Sequence, residues 1–178
     1  MATCPQSKEP SQPLDLDQAF SVAPGGLYPA QWEGNVMPEL QAVIETDQLG
    51  GLLEQSLYAV AEAGEDITPH FFARFFARHP DQQAMFFQPT VSCGAMVGEI
   101  LESLIALAAR ESWVDTSIHN LVIAHRCYGN FPLPLYAELL NLFVETLADL
   151  AGERWSADYE AAWRQVTADL YRLIAHAH

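Results

Sequence analysis

Basic residues are what this chain has least of. Eight Lys and Arg stand against 23 Asp and Glu, a formal net charge of −15, and Lys8 is the sole lysine. Nucleic acid and anionic membrane surfaces are gripped by basic patches, so neither is an expected partner. The charge predicts high solubility with some self-repulsion. Cysteine is scarce too. Cys4, Cys93 and Cys127 are an odd set with neither metal-ligand spacing nor a secretory framework, and are expected as free thiols in a reducing compartment. No uninterrupted apolar run reaches the ~18 residues of a membrane span. The N-terminus lacks the basic start and apolar middle of a signal peptide. A soluble, cytoplasmic protein is the expectation. Period-two alternation, Asn-Gly hairpin signals and internal repeats are missing as well, which argues against paired strands.

What is present divides into two regions. Pro5, Pro10, Pro13, Pro24, Pro29 and Pro38, with Gly25, Gly26 and Gly34, punctuate residues 1–44. Such density predicts no long helix or paired strand there. Leu14, Leu16, Phe20, Leu27, Tyr28 and Trp32 still supply apolar area. The expectation is a mobile tip (1–13) and an arm (14–44) that packs on the core or on a second subunit, as in a homodimer.

From about Thr46 the pattern is helical, and 45–178 reads as one domain. Leu49, Leu52, Leu53, Leu57 and Val60 form a stripe of period 3.6, ended by Gly64. Thr68-Pro69 reads as cap and first residue of a second helix through Phe71, Phe72, Phe75 and Phe76. A third helix starts after Thr90 or Ser92. Its apolar residues on two faces, Met96 to Ile105, predict a deeply buried element. A short helix carries Ile118, Leu121, Val122 and His125, and is broken by Gly129, Pro132 and Pro134. Two more helices follow, one with Leu139 to Leu150 and one with Tyr159 to Leu173 capped by Ser156. The predicted class is all-α, with helices packed ridges into grooves.

A histidine in the last turn of a short helix, before a loop and a long apolar helix, is placed to hold a ring nitrogen still over a planar cofactor. Around it the order of features resembles a globin over roughly residues 46 to 176. The likeness is closest to bacterial single-domain globins and the haem domain of flavohaemoglobins. T-P-H-F-F-A-R-F-F-A-R-H-P-D-Q-Q-A-M-F-F (68–87) resembles their second helix and the corner after it. A-H-R-C-Y-G with P-L-Y resembles the proximal-histidine segment, and E-A-A-W (160–163) a signature of the last helix. The chain departs from the family in a shorter stretch between Phe86 and His125 and in its N-terminal extension.

The resemblance implies a three-over-three helical sandwich that binds haem b, with His125 as axial ligand to the iron. It puts Phe86 against the haem and Phe72 where flavohaemoglobins have a Tyr. It places Tyr136 and Asp158 in a relay behind His125, which would tune the imidazole. Two registers stand for the third helix. Counting from Phe86 makes Met96 face the ligand with Ile100 one turn on, and in this register the Met96 sulfur is also a candidate second axial ligand. Counting from His125 gives Cys93 with Val97 one turn on. Either way the pocket is expected to be apolar. Arg126 and Arg110 are the candidate cations for the propionates. The implied function is binding of O2, CO or NO, in sensing, signalling or slow redox chemistry. Two alternatives stand: a haem-free globin-like regulatory module with a partner, and a nitric-oxide dioxygenase or peroxidase fed by a separate reductase.

Overall fold

The first helix, α1, begins earlier than the prolines allow. It spans Pro38–Ala61, although no long helix is expected before about Thr46. Pro38 stands in the first turn, where a backbone N–H has no intrahelical acceptor anyway, so proline opens the helix and does not break it. The computed structural model describes residues 38–86, 88–129 and 131–178. The expected tip and nearly all of the expected arm therefore lie outside the described residues.

Helix α2, Ile67–Arg78, is capped by Asp66 and not by Thr68: the Asp66 carboxylate accepts the Thr68 N–H at 2.9 Å. Pro69 still falls in the first turn, where it removes no helical bond. A 3-10 turn, Pro80–Met85, leads to α3, Pro89–Ala108. Here too the proline opens the helix, ahead of Thr90 and Ser92. Helix α4 is Val114–Arg126, α5 is Leu133–Ala151 and α6 is Ala157–Ala177. Ser156 caps α6 as expected, its hydroxyl accepting the Tyr159 N–H at 3.1 Å. Among the described residues there is no strand, and the fold is all-α.

Within the unit Pro38–His178 the core centres on α5 and α6. Helix α5 packs on α1, α2 and α6, and α6 also meets α1, α3 and α4. Phe143, Val144, Leu147, Trp163 and Val166 are fully buried. The Trp163 indole N–H donates to Ser56 Oγ at 2.7 Å, and that hydroxyl donates to the Leu53 carbonyl at 2.7 Å. The one polar atom of the largest core side chain is thus satisfied, as burial demands.

Helix α3 is not the deep element expected. Its first half buries a single stripe, Cys93, Val97 and Ile100; Ser103, Leu104, Ala106 and Ala108 are buried further on, and Val91 and Ile105 are 66 % and 44 % exposed. It has the length and composition of a bilayer span. In this bundle it lies against α1, α2, α4 and α6.

Candidate functional site

A cavity of about 430 Å³ is bordered by the 3-10 turn, α3, α4 and the start of α5. That volume lies within the ~300–1,000 Å³ typical of small-molecule and cofactor sites. Of the six histidines in the chain, His125 alone lines it. A second depression, between α1 and α3, contains neither histidine nor cysteine.

The local chain course explains how His125 comes to the wall. Val114, Ile118 and Val122 bury one face of α4. His125, three residues after Val122, follows that face at the helix end. Gly129 then takes φ 150°, a backbone state that side chains rarely permit, and turns the chain toward Pro132, the cap of α5. The His125 ring lies with its centroid 5.8 Å from Phe131 and 6.0 Å from Tyr136, edge-to-face with both. Its Nδ1–H donates to the Leu121 carbonyl at 2.8 Å. In the neutral ring that bond assigns the tautomer, with the proton on Nδ1 and the lone pair on Nε2. Nε2 has no hydrogen-bond partner among the described residues.

Helix α3 presents two stripes. Ser92, Ala95, Met96 and Glu99 face the cavity, whereas Cys93, Val97 and Ile100 belong to the buried core stripe. At 100° per residue the two sets fall on different sides of one helix. Met96 thus borders the cavity and Cys93 does not. Burial pushes the Cys93 thiol above its ordinary pKa, which leaves it poorly reactive. Ile100, one turn beyond Met96, is turned into the core.

Phe86 and Tyr136 also line the cavity. Phe72 does not. It is buried behind Phe86, ring centroids 5.2 Å apart, and Phe75, one turn on, takes its place in the wall. Burial raises the Tyr136 phenol above its usual pKa, and the nearby Arg126 charge pulls the other way.

The expected relay through Asp158 is not formed. Asp158 is exposed in the first turn of α6. Arg126, next to His125, hydrogen-bonds the other end of that helix, at Ala177 and the capping His178. At ~1.5 Å per residue this is about 28 Å away. What Asp158 does is complement the helix N-terminus. Arg126 does not border the cavity either. Its guanidinium donates to the carbonyls of Ala177 at 3.0 Å and His178 at 2.6 Å. Arg110 lies beyond the end of α3, roughly 16 Å along the axis from Glu99.

Polar residues temper the expected apolar pocket. Gln82, Ser92, Glu99 and Tyr128 contribute to the lining, and among the described residues no Lys or Arg does. Glu99 was legible as the residue three after Met96 and seven after Ser92 on one helical face. Gln82 and Phe131 lie outside regular helical periodicity, so no pattern marks them. Compared with protein-family models, curated proteins and solved structures, the chain gives no significant match.

Proposed function

We propose that this protein is a haem-binding globin of the three-over-three type, with His125 as axial ligand and a diatomic gas as its partner. One observation carries the reading. His125 lines a cavity of about 430 Å³ with its Nδ1 fixed on the Leu121 carbonyl at 2.8 Å and no hydrogen-bond partner for Nε2 among the described residues. A backbone carbonyl on the second nitrogen holds the tautomer, orients the ring and raises its basicity as a ligand. Among the described residues no three His, Cys, Asp or Glu gather where they could hold a metal ion. A lone imidazole suits a metal that brings its other ligands with it.

The lining supports that reading on its apolar side. Phe75, Phe86, Met96, Leu135 and Leu139 offer apolar walls that would hold the ring, and His125 would bind the iron. Haem bound there supplies an iron that takes O2, CO or NO. The protein's part is to fix the imidazole, exclude water with those apolar walls, and set polarity near the gas through Ser92 and Gln82. Sensing or signalling needs only reversible gas binding, whereas redox turnover also needs a source of electrons.

A second reading rests on the charge of the lining. With Glu99 in it and, among the described residues, no Arg or Lys, the cavity also suits an uncharged apolar ligand in a haem-free regulatory module. Titration of the purified protein with haemin separates the two. A sharp Soret band saturating at one equivalent is expected. No band above that of free haemin would leave the haem-free reading.

A further inference from the structure

The end of α6 and the loop after His125 are tied together by more than packing. Arg126 Nη2 donates to the carbonyl oxygens of Ala177 and His178 at 3.0 and 2.6 Å. An arginine beside the α4 end thus holds the Ala177–His178 segment by two backbone oxygens. In the opposite direction His178 Nε2 donates to the Phe131 carbonyl at 2.9 Å. The His178 ring also stands edge-on to Tyr136, centroids 6.4 Å apart. Phe131 and Tyr136 are the two rings that flank the His125 imidazole.

The loop has few restraints of its own. Cys127 and Tyr128 donate backwards to Ala124 and His125, and Gly129 then departs into a glycine-only conformation. Phe131 is held by His178 from outside the loop. The Leu121 carbonyl fixes where Nδ1 points but leaves rotation about that bond, and the flanking rings limit it.

We propose that the last turn of α6 is a latch that sets the plane of the His125 imidazole through Phe131 and Tyr136, with Arg126 and His178 as its positioning residues. The inference rests on the reading of His125 as the ligand. The latch touches neither the cavity nor Nε2, so its loss loosens the imidazole without removing it. Groups that orient a ligating histidine typically change affinity about 10–100-fold when lost, and the same range is expected here.

The test uses the full chain and the variants Arg126→Met, His178→Ala and His178→Gln. Nitrogen NMR of the His125 ring is read without haem, and haem dissociation to an apoglobin acceptor is read with it. Arg126→Met and His178→Ala are expected to admit the Nε2–H tautomer and to speed haem loss about 10–100-fold. His178→Gln keeps a donor for the Phe131 carbonyl and is expected to restore both readings. Unchanged ring signals in Arg126→Met and His178→Ala would overturn the latch, as would identical behaviour of His178→Ala and His178→Gln. If the wild type takes up no haem, the haem reading fails, and the ring signals still decide the latch.

Discussion

The core around Trp163 and the cavity beside His125 share helices and follow opposite rules. Around Trp163 side chains such as Phe143, Val144, Leu147 and Val166 are closed off, and the single indole N–H meets Ser56. Beside His125 space is left open, a ring nitrogen is left unpaired, and an acid, Glu99, borders apolar walls. Helix α6 joins the two, with Trp163 in its first half and the Arg126 contact at its end. The difference between the regions separates residues that fill the bundle from residues that border open space, and the proposed haem site lies among the second.

Damage to the core should cost folding, and damage to the cavity should cost binding. Trp163→Ala is expected to lose about 3–5 kcal/mol, the usual range for a buried tryptophan, read by chemical denaturation. A loss below ~1 kcal/mol would mean that the core is not centred there. Ser56→Ala leaves the indole N–H unsatisfied, and a smaller cost of about 1–3 kcal/mol is expected from the same measurement. Equal stability of the variant would show that another group takes over the bond.

The comparison sharpens at Glu99. Glu99→Lys supplies the cation that the lining lacks, and near-surface pairs are worth roughly 0.2–1 kcal/mol. Haem affinity is expected to rise about 1.4- to 5-fold at low salt, with the gain fading in high salt and little change in melting temperature. A loss of affinity would place the propionates away from Glu99.

The smallest effect belongs to the far rim of the core. Burial pushes the Glu160 carboxyl up, but hydrogen bonds from Trp155 and Arg164, with the Arg164 charge, bring it below its ordinary pKa. A carboxyl whose folded pKa is lowered contributes stability that is present above the unfolded pKa and lost as pH falls through the folded one. Glu160→Gln is therefore expected to flatten slightly the acid limb of the melting-temperature profile. An unchanged limb would assign that acid sensitivity to other carboxylates.

Periodicity carried most of the bundle, because buried stripes such as Leu139 to Leu147 in α5 repeat at the helical spacing. It misjudged helix starts at Pro38 and Pro89, since proline both breaks and opens helices and composition alone does not say which. In the cavity, His125, Phe86, Met96 and Tyr136 were reachable from the globin likeness and chain order. Asp158 was not placed correctly, because counting from Trp163 ran toward the wrong end of a helix about 30 Å long. Phe131, His178 and the Arg126 contact depend on how a loop meets a distant helix end, which no local pattern encodes.

The most direct test of the central claim replaces the imidazole and then returns it. His125→Gly, titrated with haemin, is expected to lose the wild-type Soret band while keeping its helical circular dichroism. Millimolar free imidazole should restore that band. A His125→Gly protein that retains the wild-type spectrum without imidazole would contradict the account, because the axial nitrogen would then come from elsewhere.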